Sequence, residues 1–357
     1  MTRNPRIESL ATFVALGAIV SLVALMWNWV AVPIQPVIAQ GLTMLIATVA
    51  LYIFVGNSGI FSFGHIAFMA IGAYVGSLLM ISPANKKLNQ PNLPHFLAVA
   101  HLDPFVACLI AGLAAAVVAL VVSIPLIKLS GLTASLTSLA ILQIVYVVAA
   151  NWANVTNGEL GITGIPLLPN VTELWLVALA VIAVALFFQQ SRWGRRLRAS
   201  REDEVAARAL GLSINTDRRI AFLLSALFMG IAGALYVQLL GALVPETLYI
   251  SATTMILIML IVGGMTSLSG AVVGSIAIST FSEILIKIQD GVLVGGVNIK
   301  GPVGIQPVGL AVVMLLVLII FPKGLTRSRE LTLLARPLGA LVRMKRAGTL
   351  GADTDNH

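Results

Sequence analysis

The polar stretch best equipped to do work in this 357-residue chain is Ala199-Ser-Arg-Glu-Asp-Glu-Val-Ala-Ala-Arg-Ala-Leu-Gly-Leu-Ser-Ile. Its residue types suit docking rather than bond-making. Ser200 is a predicted N-cap, with Glu202, Asp203 and Glu204 in the first turn, where the positive end of a helix favours acids. Gly211 then stops the helix as a C-cap. Ala206, Ala207 and Ala209 would let a partner surface approach closely, while charges such as Arg201 and Glu204 fix its register. The plainer alternative is a solvated basic loop with a chance helix.

The remaining polar residues of interest lie in or beside apolar runs, where an ionisable group is costly and marks a functional site by default. His65 starts one such run; it is a candidate for a solute pathway or for a hydrogen bond to a neighbouring helix. Ser62 sits just before it. Gln143 and Tyr146 fall in mid-run and can bond across helices or face a substrate. Glu283 and Lys287 are spaced i, i+4 in the helix-stabilising order, either a local ion pair or a pathway pair.

Other chemistries lack their residues. The sequence contains no G-x-x-x-x-G-K-[ST] phosphate loop, so the chain is not expected to hydrolyse ATP. No Gly-x-Ser-x-Gly elbow and no cluster of His, Cys and carboxylates at metal-binding spacing occurs, so neither an enzyme nor a metal site is expected. The one cysteine, Cys108, lies inside an apolar run. No series of embedded acids of the kind used by proton-coupled carriers is present.

The elements that must position these residues are apolar. Hydrophobic residues make up 59% of the chain and charged residues only 10%, too few to cover a soluble globule of this size. A spanning helix needs roughly 20 mainly apolar residues. Runs of this kind are Ala11–Val32, Pro36–Val55, Phe63–Ile81, Phe105–Ile127, Leu132–Ala150, Thr172–Gln190, Ile220–Gly241, Ser251–Gly263, Ala271–Ile288 and Gln306–Phe321. The fold class is therefore an all-α polytopic transmembrane bundle of about eight to ten spans. The third, eighth and ninth runs, short or rich in Gly and Ser, are candidates for re-entrant segments. The first run is too long for a secretory leader and is read as a retained span.

Charge supplies a parity test. Of the 22 basic residues, 18 fall at Arg3 and Arg6, at Lys128, in the run 191–219 and in the tail from Lys323 to Arg346. Ten crossings starting from a cytoplasmic N-terminus put all of these on one side, as the positive-inside rule requires. Both termini are then cytoplasmic, and a net charge of +8 is no nucleic-acid footprint. Asn151–Asn170, dense in Asn, Gly and Pro, reads as a structured outside loop. Residues 1–325 form the membrane domain, with 191–219 as its cytoplasmic loop, and 326–357 a basic, disordered tail.

Small residues at Gly64, Ala67, Gly72, Ala73 and Gly76 allow helix backbones to touch in lipid. The Gly-Ser breaks at 56–64 and 263–270 are candidate pathway or gate elements, because non-helical backbone at membrane depth must be buried in protein or line a wet cavity. Close packing without substrate contact is the alternative for each glycine.

Glu204-Val-Ala206-Ala207-Arg-Ala-Leu-Gly211 resembles the Glu-Ala-Ala-x-x-x-Gly motif of permease subunits of bacterial ABC importers, with Val205 intruding after the Glu. The following Arg218-Arg219-Ile-Ala-Phe222 resembles the branched-chain amino acid subfamily. So do Gly56-Asn-Ser-Gly-Ile-Phe-Ser62-Phe-Gly-His65, Thr156-Asn-Gly-Glu-Leu-Gly161-Ile-Thr-Gly164 and Val262-Gly-Gly-Met-Thr-Ser267-Leu-Ser-Gly270, specifically its LivM-type subunit. Four stretches in family order cover residues about 36 to 325.

The resemblance implies an inner-membrane permease for branched-chain or related amino acids and amides. It further implies a second, LivH-like permease, two ATP-binding subunits and a periplasmic or extracellular binding protein. ATP would be bound by the partners, and this chain would carry no cofactor. By the same resemblance the coupling loop comprises Arg201, Glu204, Ala206, Ala207 and Gly211, with Arg195, Arg196, Arg198 and Arg201 able to pair with acids on the ATPase. The rival reading from another class is a self-sufficient secondary carrier or channel for a small polar solute; a membrane enzyme is more remote.

Overall fold

The computed structural model describes residues 5–27, 29, 35–90, 93–129, 131–167, 171–294, 297–326 and 330. Each of the ten apolar runs falls on a helix. These are α1 (Pro5–Met26), α2 (Gln35–Ser58), α3 (His65–Met80), α6 (Pro104–Leu126), α7 (Gly131–Asn151), α9 (Val171–Gln190), α12 (Ile214–Leu240), α13 (Ile250–Gly263), α14 (Leu268–Asp290) and α15 (Ile305–Ile320). Between them lie the short helices α4 (Pro83–Asn89), α5 (His95–Val99) and α8 (Ala153–Thr156), and the pair α10 (Arg192–Glu202) and α11 (Glu204–Ala209). Seven of the described helical segments are long and apolar enough to cross a membrane, and Leu10–Met26, His65–Met80 and Ile305–Ile320 are shorter apolar helices. Helices satisfy every backbone polar group within one segment, as an apolar surround demands. Hydroxyls inside them fold back onto the preceding turn: Thr43, Thr48 and Ser77 donate to the carbonyls of Ala39, Met44 and Ala73.

α12 and α3 run side by side through the centre, flanked by α2 and α6. The two are parallel, because His65 meets Phe222, Gly72 meets Gly230 and Gly76 meets Ala234. A Cβ on Gly72 would lie 2.2 Å from the Gly230 carbonyl oxygen, so these backbones are in direct contact. α13 and α14 form a second tight unit, an antiparallel hairpin in which a Cβ on Gly274 would lie 2.1 Å from the Met259 oxygen. Large apolar side chains such as Val121, Leu136, Ile144 and Ile319 remain exposed on the outer helices, the surface expected of a protein that lipid covers.

Consecutive long helices alternate between two ends. At one end gather the C-termini of α2, α6, α9, α13 and α15 and the N-termini of α3, α7, α12 and α14. There Ser135 donates to the Phe61 carbonyl, Arg198 to that of Gln189, and Leu325 N–H to that of Val262. At the other end, β1 (Ile162–Thr163) pairs with β2 (Ala242–Leu243) and joins the loop after α7 to the end of α12. A hairpin of β3 (Val292–Val294) and β4 (Val297–Ile299) follows α14. The Gly-rich stretch 157–164 is structured as expected, with Asn157, Gly158, Gly161 and Gly164 all at positive φ.

Of the three re-entrant candidates, α14 and the segment Pro245–Gly263 that contains α13 are long and apolar enough to cross a membrane, whereas α3 is a shorter apolar helix. α3 starts beside Ser62 and finishes where the Leu79 carbonyl accepts from Leu102 of the opposite cap. α13 reaches a spanning length only together with the turn Pro245–Leu248 that precedes it. The two Gly-Ser breaks lie against each other: a Cβ on Gly56 would lie 2.8 Å from the Met265 oxygen. Of the proposed tail 326–357, only Thr326 and Glu330 are among the described residues, and Arg3 also lies outside them.

Candidate functional site

The segment 191–219 folds as a shoulder on the end of the bundle where the α2 and α9 C-termini meet. Two helices form it, not one. Ser191 caps α10 by accepting from Gly194 N–H. Ser200, expected as an N-cap, is instead buried inside α10, where its hydroxyl bonds back to the Leu197 carbonyl at 2.8 Å. The break comes at Asp203, whose extended backbone (φ −150°) ends α10 and whose carboxylate caps α11 by accepting from Ala206 N–H at 2.9 Å. An acid here satisfies an orphan N–H and meets the positive end of the new helix at once.

Gly211 ends α11 as expected. Its φ of +77° is open to Gly at no steric cost, and the turn carries two reverse bonds, Gly211 N–H to the Arg208 oxygen and Leu212 N–H to the Ala207 oxygen.

α11 is fixed to the bundle by one carboxylate. Glu204 accepts from Arg208 at 2.7 Å on its own helix and from Arg218 at 2.7 Å on α12. Arg218 is buried, whereas Glu204 is only partly so. These guanidiniums hold the Glu204 carboxyl below the usual range, the Arg208 hydrogen bond contributing most. Ala207 is buried against the chain itself and does not face outward with Ala206 and Ala209. Val205 and Leu210, each 79% exposed, complete an apolar face of α11 that nothing among the described residues covers.

The arginines of α10 are mostly committed internally. Arg196 lies 3.3 Å from Asp217, Arg198 donates to the Gln189 carbonyl at the end of α9, and Arg201 donates to the Gly56 carbonyl at the end of α2. Arg198 and Arg201 thus close the loop onto helix C-termini, whose last carbonyls have no partner of their own, while Arg196 pairs with an acid in the first turn of α12. Arg195 is exposed. Glu330 does the reverse for an N-terminus: its carboxylate accepts from Leu268 and Ser269 N–H at 3.0 Å each, and from Gln189.

The pathway candidates fall in three places. Ser62 and His65 come together at 2.6 Å, with the His65 ring buried among Phe54, Phe68 and Phe222 at centroid distances of 5.1, 5.9 and 5.1 Å. His65 Nε2 is buried without a hydrogen-bond partner among the described residues. Gln143 and Tyr146 converge on Tyr249, a residue the sequence did not single out. Its hydroxyl donates to Gln143, and its ring stacks on Tyr146 at 4.1 Å. Glu283 stands apart on α14, half-buried, with Lys287 exposed one turn on; no ion pair joins these two described residues. α7 links the first two groups, since Ser138, just below Gln143, accepts from Phe63 N–H.

A family model described as branched-chain amino acid transport system / permease component matches residues 33–321. The chain is 33% identical over 120 residues to the high-affinity branched-chain amino acid transport system permease protein LivM of Escherichia coli (strain K12), covering 32% of this chain and 28% of that protein. It is 36% identical over 106 residues to LivH of Salmonella typhimurium, covering 29% and 33%. It is 28% identical over 155 residues to a probable LivH of Methanocaldococcus jannaschii, covering 42% and 46%. The chain thus spans less than half the length of each of these curated relatives. No solved structure matches it. The family match runs from the start of α2 to the end of α15, over a multi-pass array of apolar helices, and the chain belongs to the branched-chain amino acid permease family.

Proposed function

We propose that this chain is a membrane-embedded permease subunit of an ATP-binding-cassette importer that moves leucine, isoleucine, valine or related small amino acids and amides into the cytoplasm. The observation that carries this reading is the uncovered apolar face of α11, anchored through Glu204 to the buried Arg218 of the central helix. A separate ATPase subunit docks on Val205, Ala206, Ala209 and Leu210, and the ATPase pair supplies the energy. The chain itself needs no cofactor and performs no bond chemistry. Closure of the ATPases on ATP displaces α11, and Glu204–Arg218 passes the movement to α12. A switch of this kind needs contacts that differ between two states, and a docked α11 provides them.

The shoulder faces the cytoplasm of a bacterial inner membrane, with both chain termini on that side, because 18 of 22 basic residues then share it. A second, LivH-like permease covers the exposed faces of α7 and α13. Solute crosses between the two subunits, past Gln143, Tyr146 and Tyr249, after release from a periplasmic or extracellular binding protein.

The test is uptake in proteoliposomes containing the chain with its ATPase, second-permease and binding-protein partners. Glu204→Lys and Gly211→Pro are expected to insert normally and to abolish ATP-driven uptake. Uptake by this chain alone under an ion gradient, without ATP, would refute the proposal in favour of a secondary carrier.

A further inference from the structure

Beside the shoulder, an open apolar cleft of about 490 Å³ lies between α6, α9, α10 and α12. Its walls include Ala116, Phe187, Trp193, Leu223, Leu224 and Leu227, and its one polar lining residue is Ser191. A volume of this order suits a discrete ligand rather than solvent. An empty apolar slot would lose dispersion contacts along its whole length, so an apolar occupant is required.

The mouth of the cleft specifies the rest of that occupant. Trp193 stands at the rim, and the Arg192 guanidinium lies 4.9 Å from its ring centroid. Arg195 and Arg219 are exposed on α10 and α12, two residues along from Trp193 and next in sequence to the lining Ile220. Arg196 lies one turn beyond Trp193, with Asp217 offsetting its charge. An amphipathic aromatic beside cations at the end of a helix bundle is the arrangement of a membrane–water interface. A ligand for this cleft has a long apolar chain, a negative head group and access from the membrane plane.

We infer that this cleft is a binding site for an anionic phospholipid, with one acyl chain along Leu223 to Leu227 and its phosphate over Arg192 and Arg195. Charge complementarity selects this occupant over the chain's own basic tail and over a zwitterionic lipid. A lipid seated here would fill the angle between α10 and α12 and hold the shoulder at a fixed height on the bundle.

The experiment uses the full chain in nanodiscs, with Trp27, Trp29, Trp152 and Trp175 replaced by Phe so that Trp193 alone fluoresces. Phosphatidylglycerol or phosphatidylcholine with brominated acyl chains is titrated into unlabelled lipid. Brominated phosphatidylglycerol is expected to quench Trp193 at a several-fold lower mole fraction. Arg192→Gln with Arg195→Gln should erase most of that preference, at about fivefold per arginine. Ala116→Phe, which fills the cleft, should remove quenching by both lipids while the fold and the charge persist. Equal quenching by the two lipids, or a preference unchanged in the double variant, overturns the proposal. Loss of quenching once the partner subunits are added also overturns it, by showing that protein covers the cleft. None of these readouts depends on transport.

Discussion

Glu204 and Arg218 meet at 2.7 Å across the turn between α11 and α12, so the short surface helix and the central membrane helix share one ion pair. Removing Glu204 leaves the buried Arg218 without its carboxylate, whereas removing Arg218 leaves Glu204 held by Arg208 alone. Glu204→Gln or Arg218→Met should cost about 1.5–3 kcal/mol locally. ATP-driven uptake should fall at least tenfold while the chain still assembles. The double exchange Glu204→Arg with Arg218→Glu should recover part of the loss; no recovery would mean that the pair is not the link.

The same pair sets an acid limit. Because the folded Glu204 carboxyl is held below its ordinary range, mainly by Arg208 and next by Arg218, its stabilisation is complete above the unfolded value of about 4.3. That stabilisation is lost as pH falls through the lower folded value. Melting curves between pH 7 and 3 should therefore show a steeper acid decline for the native chain than for Glu204→Gln. Superimposable slopes would remove Glu204 from this role.

At the opposite end, buried Lys86 donates to the carbonyls of Leu97 and Ala100, closing the cap around α4 and α5. Burial lowers its pKa, so its charge weighs against folding at neutral pH. A neutral amine keeps two N–H groups, enough for both carbonyls. Stability should therefore rise as pH climbs through the lowered value toward the unfolded one near 10.4, and then level off. Lys86→Met should abolish that alkaline rise in a thermal-shift series.

Between α3 and α12 the spacing is set by Gly72, where any side chain would strike the Gly230 backbone. Gly72→Val should destabilise by about 1–3 kcal/mol, the usual cost of overpacking, seen as a lower denaturant midpoint in micelles. A midpoint unchanged would mean that the helices are not in contact there.

His65 separates packing from passage. Within its box of Phe54, Phe68 and Phe222, His65→Ala should cost about 3 kcal/mol through the cavity left behind. His65→Phe, of similar volume and without the orphaned Nε2, should preserve both folding and uptake. A stable His65→Phe variant that fails to transport would instead place the imidazole in the solute path.

Much of this architecture was legible in the residues because lipid leaves few alternatives. Most apolar runs became helices within a few residues of their predicted ends, although α1 stops at Met26 and α12 starts six residues early at Ile214, and Gly211 stopped α11 where the left-handed turn was needed. What escaped was decided by contacts distant in sequence. Ser200 and Asp203 are both good caps, and only the burial of Ser200 under the shoulder chose between them. Arg196, Arg198 and Arg201 looked available to a partner because nothing in the sequence shows that Asp217, Gln189 and Gly56 lie beneath them. Tyr249 gave no signal apart from Gln143 and Tyr146, 106 and 103 residues away along the chain. Glu330, the lone acid between Lys323 and Arg346, does carry one such signal, an anion available for the open N-terminus of α14.

Backbone contact between α3 and α12 also has a mechanical side. Helices meshed at Gly72, Gly76, Gly230 and Gly233 cannot screw or slide past one another without collision, so force arriving at one end rotates both as a stiff rod. α12 is 27 residues long, about 40 Å. A pivot of about 5° would swing its distant tip by about 3.5 Å, the breadth of a methyl-sized step at a gate, with no bending of any helix.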